Sequence, residues 1–424
     1  MKAPWKVVHL ELSEGIPALS FEPNYEGLYV VFWWHSIPLG HQEILAAQLP
    51  MPATQLINLV LEAIAPVVGD RIFEQGFKSS LVAGLDKLPQ DTPPDFHSLI
   101  ALDRPLATLQ ERLSYLPEGS VSVVICTRDR PEQLKQCLRS LQNLSHPPHE
   151  IIVVDNAPKT DATRQLVAQM PNIQYVLEPQ PGLSVARNTG IHHSTGDLIA
   201  FTDDDVIVHP DWITRLQQSF QDSKVMAVTG LVLPGELETE AQLIFEKGFE
   251  GFSQGYQPLM FDSQFFEKMK PEGVPVWNIG AGANMAFQRK AFELVGDFDE
   301  RLGAGASGCS EDSELWYRLL AEGWICRYEP TAVVYHYHRS DLERLKQQMY
   351  QYMRGHVAAL LVQFERYKHW GNLYRLFITL PKYYKWRLLD GAKGKLKQLN
   401  RTLWAEISGC LSGVSFYLKN RIFN

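Results

Sequence analysis

From Val121 onward the chain alternates uninterrupted apolar runs with amphipathic helical patterns, and that alternation leaves few folds open. Val121–Cys126, Ile151–Val154, Ile173–Leu177 and Leu198–Thr202 read as buried strands. Between and after them, Arg130–Leu141 (with Pro131 in the first turn), Asp161–Met170, Leu183–His192 and Trp212–Phe220 read as helices. Strand–helix–strand repetition predicts an α/β domain whose central sheet is mostly parallel, with right-handed crossovers and helices on both faces. Ligands in such sheets lie beyond the carboxyl ends of the strands. Those ends are where this chain places its polar residues.

The run Leu198-Ile199-Ala200-Phe201-Thr202 passes straight into Asp203-Asp204-Asp205. Alternation along a strand points Asp203 and Asp205 one way and Asp204 the other. Clustered carboxylates repel one another unless a cation joins them, and a hard divalent ion bound through oxygen is the usual partner. Three acids alone equally describe a solvated turn, so the other strand ends decide. The first carries Thr127-Arg128-Asp129-Arg130-Pro131 and the second Asp155-Asn156, where a carboxylate can accept from a base imide or a ribose hydroxyl. Gly182 then opens a helix bearing Arg187 and Asn188, and an arginine there can fork onto phosphate oxygens.

The later half adds a small-residue run, Asn278–Phe287, in which Gly280, Gly282 and their alanines leave room for a ligand against the backbone. After the loop Gly303–Gly308, Ser310 reads as the N-cap of a helix with Glu311 and Asp312 in its first turn. A carboxylate held beside a glycine loop suits a general base, though acids there also simply complement the helix dipole. Ala332–His338 reads as a strand ending in His336 and His338, two residues apart and so on one face. A histidine at that end can complete a metal site built of aspartates, and it equally describes a polar strand tip.

The flanks differ. Residues 1–116 read as a small α+β accessory unit, with strands at Trp5–Leu12 and Gly27–Trp34 and a helix, Thr54–Ala65, stopped by Pro66. His35 and His41 have no evident partner there. A helix over Leu106–Leu116 leads through Pro117-Glu118-Gly119 into the catalytic unit, 117–340, and residues 341–424 form a helical tail. Net charge is −8 overall, but the stretch from Arg339 onward carries +11, so the rest carries −19. That tail is rich in aromatics, which suits an anionic membrane surface or docking on the acidic body; no nucleic-acid-reading motif appears. Five cysteines without a Cys-x-x-Cys pair indicate free thiols and a cytoplasmic protein, and no apolar window reaches the roughly 18 residues of a spanning helix.

Taken in order, Thr127–Pro131, Asp155-Asn156, Ala186–Gly190, Asp203-Asp204-Asp205, Asn284–Phe287, Glu311-Asp312 and the strand ending at His336 resemble the family 2 inverting glycosyltransferases of the GT-A fold. The likeness covers about half the chain. It implies sugar transfer from a nucleotide diphosphate donor to a hydroxyl acceptor, glycan or lipid-linked, with inversion, in polysaccharide or glycolipid assembly. It further implies Mg²⁺ or Mn²⁺ on Asp203, Asp205 and His336, with Asp205 the direct ligand. Thr127, Arg128, Asp129, Arg130, Asp155, Arg187, Asn188, Asp203 and Asp204 would meet the donor. Asp312, with Glu311 beside it, would be the catalytic base. Trp277, Trp316 and Trp324 are candidates for stacking on a sugar. Two rivals remain at this point: a nucleotidyltransferase, although Thr127–Pro131 lacks the glycines that grip a triphosphate, and a non-catalytic nucleotide-sugar-binding or scaffold protein.

Overall fold

The computed structural model describes residues 4–74, 115, 117–392 and 399–421. Of the helix expected at Leu106–Leu116 only Tyr115 is described, exposed and in no regular element; the rest lies outside the described residues. A three-stranded sheet comes first: β1 (Trp5–Glu11), β2 (Gly27–Trp34) and β3 (Ile37–Leu45). The central sheet is built from β4 (Val121–Thr127), β5 (Glu150–Asn156), β6 (Ile173–Glu178), β7 (Leu198–Asp203), β8 (Val206–Val208), β9 (Val225–Pro234), β10 (Leu259–Phe261), β11 (Asn284–Gln288) and β12 (Ile325–His336). Its order is β10-β12-β9-β11-β7-β4-β5-β6, with β8 paired to β12.

Strands β4, β5, β6, β7, β9 and β12 run one way, whereas β8, β10 and β11 oppose them. Strands β4, β5 and β7 are almost wholly buried because both of their faces are covered, whereas β6, at the sheet edge, is half exposed. Val123 and Ile125 of β4 pack with Leu134 and Leu138 of the Pro131–Gln142 helix, while Val124 belongs to the opposite layer. There the Leu183–His193 helix crosses so closely that a Cβ on Gly190 would stand 2.3 Å from Val124 Cγ1.

The reversed strand β11 is locked by one side chain. Asn284, fully buried, accepts from Trp212 Nε1 at 2.8 Å and donates to Leu231 O at 3.0 Å and Ala332 O at 2.8 Å. It thereby fastens β11 to β9, β12 and the Trp212–Gln218 helix at the floor of the strand-end cleft. The small residues around it are explained by contact: a Cβ on Gly230 would lie 2.1 Å from Ala332 O.

The first sheet does not stand apart. Its central strand β2 is buried along its whole length, with Tyr29, Val31 and Trp33 in the main core and Val30, Phe32 and Trp34 in a second core under the Ala53–Glu74 helix. That helix runs through Pro66, contrary to the expected stop. Buried Val60, Leu61, Ile64, Val67 and Val68 continue one apolar stripe across the proline, and their packing outweighs the lost hydrogen bond. At the other end, the Leu342–Tyr367 helix packs on the Leu403–Asn420 helix through Gly409 and Gly413. Glu406, the one acid of the latter, is buried against Arg387 at 2.6 Å.

Asn284→Ala would leave the Trp212 indole N–H and two strand carbonyls buried without a partner. It should lower unfolding free energy by about 3 kcal/mol, at 1–3 kcal/mol per orphaned group with partial relaxation, read from urea unfolding.

Candidate active site

The acidic run divides at the strand end: β7 stops at Asp203, and Asp204 and Asp205 form the turn that follows. Asp204 turns inward and is almost fully buried, accepting from Thr127 Oγ1 at 2.7 Å and from Arg130 Nη1 at 2.6 Å. Arg130 also donates through Nη2 to Asp205 Oδ2 at 2.6 Å. Thr127 and Arg130, expected against the donor, thus hold the acidic turn in shape. Asp203 and Asp205 face the opposite way, toward the end of β12. There Asp205 Oδ1 lies 3.4 Å from His336 Nε2. One donor atom each from Asp203, Asp205 and His336 falls within 4.8 Å of the other two.

Burial pushes the Asp205 carboxyl up, but His336, when protonated, and Arg130 outweigh it and hold it below the usual range. Burial pushes the His336 imidazole down to about 4 against the pull of Asp205, so the ring is neutral and has a lone pair to offer. Two carboxylate oxygens and one imidazole nitrogen fit Mg²⁺ or Mn²⁺, with the nitrogen favouring the latter.

The second acidic pair begins the Glu311–Ala321 helix. Ser310 does not cap it as expected: its φ of 72° is left-handed, and its hydroxyl lies 3.1 Å from Cys309 Sγ. Glu311 points inward and accepts from Arg187 Nη1 at 2.6 Å. Arg187 is itself buried, and its other nitrogen is 3.6 Å from Asp203 Oδ1. The arginine expected on a phosphate therefore bridges the two acidic segments. Burial pushes Glu311 up to about 7 despite that arginine.

Asp312 is half-buried and opens the other way, its Oδ1 accepting from the Ser313 N–H at 2.6 Å. A Cβ on Gly282 would meet Asp312 Oδ2 at 2.8 Å and Arg187 Nη2 at 2.9 Å. Asp312 and the Arg187–Asp203 pair consequently meet over Gly282, in the small-residue run.

The remaining expected residues scatter by role. Asp155 is fully buried; Oδ2 accepts from Tyr175 at 3.0 Å, Oδ1 has no partner, and burial raises its pKa. Asn156 donates to Gln180 O at 2.7 Å and accepts from Gly182 N at 2.9 Å, setting the entry to the Arg187 helix. Arg128 and Asp129 are exposed at the rim, Asp129 accepting from the Lys159 N–H at 2.8 Å. Asn188 is spent elsewhere, with both ends of its amide on the Phe298 backbone, each at 3.0 Å.

Among the tryptophans, Trp316 is buried in the core and cannot be a sugar platform. Trp277 is covered by Arg375, 4.0 Å from its ring centre, and Trp324 has Lys290 at 6.0 Å. Glu246 and Tyr29, which carried no sequence signal, prove to stand behind His336 and His338.

Residues 122–295 match the family "Glycosyl transferase family 2". The likeness to that family is carried by this stretch of the chain. It is 30% identical over 228 residues to "Succinoglycan biosynthesis protein ExoM" of Rhizobium meliloti (strain 1021), covering 51% of this chain and 66% of that protein. It is 28% identical over 192 residues to "Glycosyltransferase AglE" of Haloferax volcanii, covering 44% of this chain and 58% of that protein. The matches thus span less than two thirds of either relative. Among solved structures, "Mannosyltransferase PcManGT from Pyrobaculum calidifontis in complex with GDP-Man and Mn2+" aligns at a TM-score of 0.49 and 16% identity, over 85% of this chain and 99% of that one.

Arg187→Met would strand the Glu311 carboxyl in the interior, so stability should fall by about 3 kcal/mol or more in urea unfolding. The double variant Arg187→Met/Glu311→Met should recover most of that loss, because no buried charge is left alone.

Proposed function

We propose that this chain moves a sugar from a nucleoside diphosphate donor to a hydroxyl acceptor, inverting the anomeric carbon, in glycan or glycolipid assembly. The observation that carries the reading is the convergence of Asp312 and the Arg187–Asp203 pair over Gly282. The bare Oδ1 of Asp155, buried at the end of β5, is an acceptor suited to an imide or ribose donor of the nucleoside.

Asp203, Asp205 and His336 would hold the divalent cation. When bound, it supplies positive charge against the negative charge that gathers on the departing diphosphate. Asp312 takes the proton of the acceptor hydroxyl as that oxygen bonds to the sugar carbon. Glu311, tied to Arg187, keeps the guanidinium oriented and is no base of its own. Attack from the face opposite the leaving group needs no covalent sugar–enzyme intermediate.

Asp312→Asn should cut transfer by about 100-fold or more while donor affinity stays within a few-fold, measured by nucleoside diphosphate release and donor titration. Lost donor affinity would move Asp312 from the reaction to the binding set. Release should also vanish in a chelator and return with Mn²⁺. Release that ignores the chelator would reject the metal-dependent reading.

A second observation bears on where the acceptor resides. Along the helical stretch 370–392, Trp370, Phe377, Trp386 and Leu389 are 72%, 63%, 50% and 56% exposed. Lys382 and Lys385 are exposed among them, and no acid occurs between Glu365 and Asp390. On the Leu403–Asn420 helix, exposed Trp404, Leu411 and Leu418 recur every seven residues, opposite the buried glycines. No described helix is long and apolar enough to cross a membrane. An apolar face edged with lysines suits an anionic membrane surface, so we propose that these helices lie on one and present the cleft to a lipid-linked acceptor.

The variant Trp370→Ser/Phe377→Ser/Trp386→Ser should bind phosphatidylglycerol-containing vesicles at least tenfold more weakly in a sedimentation assay, roughly the loss of a few buried apolar groups. Unchanged sedimentation would reject the anchor.

A further inference from the structure

Behind His336 runs a line of buried polar groups that sugar transfer does not require. His336 Nδ1 stands 3.1 Å from His338 Nδ1, and His338 Nε2 stands 3.0 Å from Glu246 Oε2. All three residues are over nine-tenths buried. Tyr29 of β2 donates to the other Glu246 oxygen at 3.4 Å. Two phenylalanines fix the ring planes: Phe252 lies edge-on to His336 at 5.2 Å, and Phe245 edge-on to His338 at 4.8 Å. Gly251 closes the far side, where a Cβ would sit 2.3 Å from Glu246 Oε2.

The geometry points to His338 and Glu246 as positioning residues that set the proton on His336 so that its Nε2 is bare toward the cation site. This rests on the metal centre proposed above and assigns it a supporting shell. A carboxylate can only accept, so the 3.0 Å contact requires a proton on His338 Nε2. With that as its one proton, His338 has a bare Nδ1, which must accept from His336 Nδ1. With its proton on Nδ1, a neutral His336 has a lone pair on Nε2, the atom facing Asp205.

The near end agrees. The 3.4 Å between His336 Nε2 and Asp205 Oδ1 is longer than an ordinary N–H···O hydrogen bond. It is close to the separation of two neighbouring ligands on one ion, since atoms each about 2.1 Å from a metal at right angles lie about 3 Å apart. Two acceptors face each other there, and a cation is what reconciles them. Groups that hydrogen-bond to a metal ligand from behind commonly change metal affinity by about 10- to 100-fold. The relay also assigns the N-terminal sheet a part in the centre, because Tyr29 belongs to β2.

The test uses the full chain with ¹⁵N-labelled histidine, free of metal at neutral pH, with His338 assigned by comparison with His338→Phe. Nitrogen shifts should show His336 protonated on Nδ1 alone and His338 on Nε2 alone. A proton on His336 Nε2, or two on His338, overturns the proposal, and this reading of the unaltered protein needs no variant to fold.

Electron paramagnetic resonance of free Mn²⁺ gives the second reading. Glu246→Leu should bind Mn²⁺ alone at least tenfold more weakly than the unaltered protein, with Glu246→Asp recovering part of the loss. Equal affinity in Glu246→Leu overturns the positioning role. Failure of the unaltered protein to bind Mn²⁺ at all would instead sink the cation site on which the proposal rests.

Discussion

The buried guanidinium of Arg187 is shared by Asp203, at the end of β7, and Glu311, at the start of a helix far along the chain. A charged side chain taken out of water is costly unless its partners are close and well aligned. Here both partners come from the segments that form the cleft. Arg187 therefore fixes the distance between the acidic strand end and the helix that carries Asp312. The glycine at 282 follows from this, since a side chain there would collide with both Arg187 and Asp312.

The second constraint is electrostatic. Asp203, Asp204, Asp205, Glu311 and Asp312 crowd one region, with Arg130 and Arg187 as the cations in direct contact. Each arginine is already committed to two carboxylates, which leaves the Asp203–Asp205 side negative. A polar network of this kind either receives a cation or pushes its acids toward the neutral form. Neutral His336 beside it would add a ligand without adding charge. In the proposed function that negative side receives a positive ion, with an anionic diphosphate against it.

Support for the site reaches well beyond the strand ends. Asn284 holds the reversed strand in register, Asn156 sets the loop before the Arg187 helix, and Tyr29 brings the N-terminal sheet to within hydrogen-bonding reach of the histidine line. Because β2 contributes to the main core on one face and to its own helix on the other, the first sheet is packed as a continuation of the larger unit.

Much of this was readable from the residues. Uninterrupted apolar runs announced strands covered on both faces, and the positions of Asp155, Asp203 and His336 at strand ends follow from where those runs stop. Asp204 is the buried one of the three acids, as the expected alternation had it, although a turn after β7 and not the strand sets it apart. What local pattern could not supply were the relations among distant segments. Nothing near Glu246 or Tyr29 marks them as partners of a histidine some ninety or more residues away. Arg187 looked like a phosphate ligand because its carboxylate partners lie on other elements. Pro66 looked like a helix stop because proline's local penalty is legible and the apolar stripe that overrides it acts through tertiary packing. The sequence by itself determined the strand–helix order, the acidic strand end and the chemistry available there, since these depend on spacing and side-chain type. Only the tertiary structure decided which charges are paired, which acid of Glu311 and Asp312 opens to the cleft, and which nitrogen of His336 faces it. Those depend on distances between elements, which no local pattern encodes.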